Sequence, residues 1–108
     1  MSNQRHYIEF TTHAPGLERA EFEAIADRVA DHLVGATGVV DPDLGVDLER
    51  RELTFCMTVE APTIDDELQR VRAVARATLH AAGASTEGWE RVDYLVSDHV
   101  EQGRLLAL

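Results

Sequence analysis

Asp41, Asp43 and Glu52 stand at the first, third and twelfth places of "DPDLGVDLERRE". Carboxylates at those places are what an EF-hand-type calcium loop uses, the last of them closing the coordination sphere with both oxygens. Such a loop also needs an oxygen ligand at its fifth place and a glycine at its sixth, where the chain turns sharply. Here the fifth place is Gly45 and the sixth is Val46, a β-branched residue that disfavours the backbone conformation required. Leu44, Val46 and Leu48 instead alternate with Gly45, Asp47 and Glu49, which predicts a strand rather than a metal loop.

Three other sets of side chains could carry chemistry. Cys56 could be a nucleophile, given a base and an electropositive setting. Its neighbours in "ELTFCMTVE" are threonines and acids, which predicts an inert cysteine in mid-strand. His6, His32, His80 and His99 fall at the ends of predicted elements and are expected at one pole of the fold, beside the Glu49–Glu52 turn. Imidazoles so gathered could ligate zinc or nickel, but ligands must converge to about 2 Å from one ion. A histidine at a helix C-terminus is explained equally well by the helix dipole. No metal ligand, cofactor or catalytic residue is therefore assigned. The third set, Thr12, His13, Asp41, Asp43, Glu60 and Trp89, is expected at the opposite pole. Carboxylate, imidazole and indole are the ingredients of a small acid–base site, so these six define the candidate small-molecule site.

The elements that must position these groups follow from periodicity. "HYIEFTT" at 6–12 alternates, with Ile8 and Phe10 on one side and Tyr7, Glu9 and Thr11 on the other, which predicts a strand. After "HAPG", Phe22, Ile25, Val29 and Leu33 recur at helical spacing over 18–34, and "GATG" ends that helix. The strand over 43–48 and the strand "ELTFCMTVE" at 52–60 form a hairpin. Thr63, with Asp66 three residues on, is the cap of a second helix whose buried stripe is Leu68, Val71, Ala75 and Leu79. Gly83 stops that helix, and "WERVDYLV" at 89–96 is a last strand with Val92, Tyr94 and Val96 inward. The tail "SDHVEQGRLLAL" ends in four apolar residues, expected to pack on the domain or on a partner chain.

The order βαββαβ, with one apolar stripe per helix and alternating strands, predicts an α+β sandwich. Its four-stranded antiparallel sheet carries two helices on one face, in the ferredoxin-like arrangement with the first and third strands central. The chain resembles the small ferredoxin-like proteins of GC-rich bacteria. The likeness is carried by "GVDLERRELTFCMTVEAPTIDDELQRVRAVARATLHAAG" and "GWERVDYLV", and it implies the fold and a tendency to dimerise, not an activity.

Composition bounds the function. The 108 residues suit one domain, 1–108, and 44 % hydrophobic content supports a core. One cysteine gives no internal disulfide, and the N-terminus has neither the charged start nor the apolar run of a signal peptide. No run of apolar residues is long enough to span a bilayer. A cytoplasmic protein is expected. The net charge of −10, with ten arginines and no lysine, excludes nucleic acid and anionic membranes as partners. An RNA-reading sheet would also need stacked aromatics and basic neighbours. The helix-free face is expected to show Tyr7, Glu9, Thr11, Asp47, Glu49, Thr54, Cys56, Thr58, Asp93 and Leu95 instead. The sequence thus points to a non-enzymatic interaction or regulatory module acting through homodimerisation or another protein. The alternative is a small-molecule-binding protein or enzyme of the dimeric α+β barrel type, its site near the first-strand/first-helix loop. Nine alanines of the predicted helices, from Ala20 to Ala82, favour close packing, and so the first reading.

Overall fold

The computed structural model describes residues 3–85, 89–97 and 101–107, with side chains for all of these except 90–92, 101 and 105–107. Seven elements follow one another: β1 (Gln4–His13), α1 (Arg19–Val34), β2 (Val40–Asp47), β3 (Glu52–Ala61), α2 (Ile64–Ala81), β4 (Glu90–Val96) and β5 (Glu101–Ala107). The strands form one antiparallel sheet in the order β2-β3-β1-β4-β5.

Alternation decides which face of the sheet is covered. Ile8, Phe10 and Thr12 of β1 are buried, as are Leu53, Phe55, Met57 and Val59 of β3 and Val96 of β4. Phe22, Ala26, Val29 and Leu33 of α1 and Val71, Ala75 and Leu79 of α2 close over them. Fully burying a side chain such as Phe10, Phe22 or Phe55 contributes roughly 1.5–3 kcal/mol. The stripes differ from expectation by one position each. Ala26 is buried where Ile25 is half-buried, and Glu67 is buried where Leu68 is half-buried.

Local chemistry sets the ends. The Thr63 hydroxyl accepts a hydrogen bond from the Asp66 N–H at 3.1 Å, as the capping pattern predicts. Gly83 follows α2 at φ +84°, a conformation that only glycine adopts without strain. Arg51, at φ +55° in the β2–β3 turn, ties that turn to the β1–α1 loop. Its Nε donates to the Leu17 carbonyl at 3.0 Å, its Nη1 to the Leu48 carbonyl, and its own carbonyl accepts from the Ala14 N–H at 2.9 Å.

The sheet has five strands where four were expected. The tail supplies the fifth, β5, paired with β4 from Glu90↔Ala107 to Val96↔Glu101. Alternation in "EQGRLLA" is weak, so its pairing was not readable from periodicity. A structural reason for its glycine appears only in register. Gly103 lies opposite Tyr94, and a Cβ there would stand 2.6 Å from the Tyr94 hydroxyl oxygen and 2.8 Å from its ring. At the other edge β2 is bulged between Val40 and Asp43, with Asp41 at φ +50° and Pro42 beside it, which blunts the edge against pairing with another chain. Among the described residues no helix is long and apolar enough to cross a membrane.

Candidate functional site

The six residues of the expected acid–base site do not converge. His13 ends β1 opposite Glu52, whereas Glu60 lies opposite Arg5 near the start of the same strand. Eight residues separate Arg5 from His13, roughly 26 Å at about 3.3 Å per residue. Asp43 sits opposite Cys56, four residues along β3 from Glu52, and Asp41 lies in the bulge beyond it. Thr12 and His13 are adjacent in a strand and so point to opposite faces. Thr12 is fully buried under the helices. Trp89 is buried too, its ring 5.9 Å from that of Phe22 in a stacked pair. The reason is topological. Asp41 and Glu60 lie at the β-strand ends that meet the C-terminus of α1 and the N-terminus of α2, while His13 and Trp89 lie at the other end of the sheet. A cavity of about 390 Å³ does open beside the first-strand/first-helix loop, between Gly16, Leu17 and Trp89. Among the described residues no acid or imidazole lines it.

The expected pole of histidines is divided in the same way. His6, at the start of β1, lies at the sheet end reached by the C-terminus of α1 and so by His32. His80, in the last turn of α2, lies at the other end with the Glu49–Glu52 turn, because α2 follows a strand antiparallel to β1. His99 is outside the described residues. Glu49 does not belong to the helix-free face. Its carboxylate pairs with Arg19 Nη1 of α1 at 2.7 Å. Among the described residues no three His, Cys, Asp or Glu side chains are placed to hold a metal ion.

His6 makes a contact that periodicity did not reveal. Its Nδ1 lies 3.0 Å from Oε1 and 2.9 Å from Oε2 of Glu67, a carboxylate with no exposed surface. Two lone pairs at that distance would repel, so a proton lies between the two groups. Glu67 belongs to the first turn of α2, where the unpaired N–H groups also favour an anion. The pair joins β1 to α2 beneath the sheet's covered face. It also fixes Nδ1 as the nitrogen facing the carboxylate, the arrangement by which a carboxylate orients an imidazole. The sequence signal was spacing: Glu67, Val71 and Ala75 recur every four residues, on one side of a helix.

The helix-free face presents a continuous row across all five strands: Asp43, Cys56, Glu9, Leu95 and Gln102. The next row runs Gly45, Thr54, Thr11, Asp93 and Arg104. Thr11 and Thr54 share a hydrogen bond of 2.9 Å, and Arg104 Nε donates to Asp93 Oδ1 at 2.7 Å. The Tyr7 hydroxyl donates to Glu9 Oε1 at 3.3 Å. Its hydrogen bond with Cys56, reinforced by burial and by the Cys56 and Glu9 charges, holds the phenol protonated above its ordinary range. Burial pushes the Cys56 thiol up as well. The Glu9 and Asp43 carboxylates add to that shift, and the Tyr7 hydrogen bond only partly opposes it. A thiol so placed stays protonated at neutral pH and is a poor nucleophile.

No family model, curated protein or solved structure matches this chain.

Proposed function

We propose that this protein is a small non-enzymatic interaction module and that the helix-free face of its sheet associates with a second copy of the chain. One observation carries the reading. Thr11, Thr54, Cys56, Thr58 and Leu95 form a band of short or apolar side chains at the centre of that face, half-buried although no described element covers them. Short side chains let two sheets approach to about 10 Å, the spacing of packed sheets.

The placement of charge supports a two-fold partner. β1 is the middle strand of five, so a two-fold axis lying along it sets β5 of one copy over β2 of the other. Arg104 on β5 shares a row with Gly45 on β2, and would therefore meet the partner between Asp43 and Asp47. Glu9, on the axis, is the opposing charge. The enzyme alternative is weakened because its acid–base set is spread over both ends of the sheet. We read the elements β1 to β4 with both helices as a ferredoxin-like unit extended by β5, a reading supported by the neighbour order β2-β3-β1-β4.

Sedimentation equilibrium tests the association. The expected mass is twice the 12.0 kDa of the chain, falling to the monomer in L95R and with tighter association in E9Q. A wild-type mass that stays at 12.0 kDa across the accessible concentration range, or an L95R variant that associates unchanged, would reject it.

A further inference from the structure

We propose that the cleft between the end of α1 and the outward side of α2 binds a small carboxylic acid with an apolar body, of the size of a medium-chain fatty acid. The cleft has a volume of about 470 Å³, inside the range of roughly 300–1,000 Å³ typical of small-molecule sites. Its origin is plain in the sequence. Ala73, Ala77 and Ala81 recur every four residues along α2, and their side chains stop at Cβ. The facing wall is the α1 C-terminus and the loop after it, where Gly35 and Gly38 carry no side chain at all. Neither wall can fill the space between them.

The lining also selects the chemistry of the occupant. The chain carries twenty acidic and ten basic residues, yet among the described residues no carboxylate lines the cleft. The ionisable side chains that line it among the described residues are Arg70 and His32, both basic. Arg70 is held by its Nη1, which donates to the Glu60 carbonyl at 3.0 Å, and any side chain at Gly38, whose φ is +79°, would come within 4.0 Å of its Cδ. A guanidinium anchored through one nitrogen keeps others for an anion, and planar two-point contact with a carboxylate is what it does best. Among the described residues the other polar side chains of the lining are the hydroxyls of Thr37 and Thr78. The Thr78 hydroxyl is spent on the carbonyls of Val74 and Ala75, each at 3.0 Å. An acid head at Arg70 with a hydrocarbon tail along the alanines satisfies both halves of the cleft. The site lies in the helical layer, away from the open sheet face, and stands or falls independently of the association proposed there.

The test is calorimetric titration of the full chain with decanoate, with decanol as the uncharged probe and circular dichroism as the check on folding. Decanoate is expected to bind one molecule per chain and raise the melting temperature, with decanol at least about tenfold weaker. R70Q should lose about tenfold in affinity for decanoate while leaving decanol unaffected. A77F places a ring in the cleft from an exposed helical position, and should abolish binding of decanoate while the helix content is unchanged. Three results would overturn the proposal: no saturable binding tighter than ~1 mM, equal affinity for decanoate and decanol, or wild-type affinity in folded A77F.

Discussion

His6–Glu67 and Asp93–Arg104 are two hydrogen-bonded side-chain pairs on opposite faces of one sheet. Their closest contacts are nearly equal, 2.9 Å for the first and 2.7 Å for the second. Their surroundings are not. Glu67 is wholly buried and the His6 side chain keeps 16 % of its surface, whereas the Asp93 and Arg104 side chains keep 52 % and 59 % of theirs in water. Length alone would rank them as equals. The dielectric around each decides otherwise, since an exposed pair gains little over the hydration it gives up and a buried one has no water to fall back on. The covered face of this sheet therefore commits to its polar contact, and the open face holds its contacts loosely enough to exchange them for others.

The comparison breaks first at His6. H6A leaves a carboxylate in the core with no partner, a change that costs about 3–5 kcal/mol in buried pairs of this kind. That is a large share of the 5–15 kcal/mol typical of whole domains. Urea unfolding at neutral pH measures it through the midpoint. The double variant H6L/E67M removes both polar groups and should recover most of the loss, because two apolar side chains leave nothing unsatisfied. If H6A alone cost under about 1 kcal/mol, water would be reaching Glu67 and the two faces would not differ as described.

What could be read from the sequence divides along the same line. Ile8, Phe10, Phe55 and Met57 alternate so regularly that the strands and their covered face follow from counting, and Thr63 and Gly83 marked the limits of α2. Periodicity reports which side a residue faces, not what it faces. Glu67 was hidden because a polar residue in an apolar stripe looks like an error in phase until His6 is seen across from it. β5 was hidden because its pairing depends on Gly103 lying under the Tyr94 ring, a contact between residues of different strands. The candidate site failed for a third reason. Placing six residues at one pole needs the direction of every strand, and Glu60 lies at the opposite end of β3 from the residue that pairs with His13.

Thr12 sharpens the comparison, since among the described residues it is a buried polar side chain that finds no partner. Its hydroxyl oxygen has no hydrogen bond among the described residues, and the residue is fully buried. An unmade hydrogen bond of this sort costs about 1–3 kcal/mol. Valine keeps the branched shape and discards the hydroxyl, so T12V should stabilise the fold by about 1 kcal/mol. In a domain of this size that is a rise of roughly 4–8 °C in melting temperature. A fall on substitution would mean that the hydroxyl does meet a donor or acceptor in solution.

The smallest effect belongs to the exposed pair and is the one most sensitive to association. R104A in the isolated chain should cost about 0.2–1 kcal/mol. That small cost should vanish near 1 M salt, where screening acts within about 3 Å. In a two-fold assembly the same arginine faces the acids of β2, and its removal then weakens association rather than folding. The distinguishing measurement is the R104A effect on the melting temperature at two protein concentrations far apart. If the cost is the same at both, Arg104 acts only within its own chain. If it grows with concentration, the arginine is working against a second copy, because only an interaction between copies is linked to concentration by mass action.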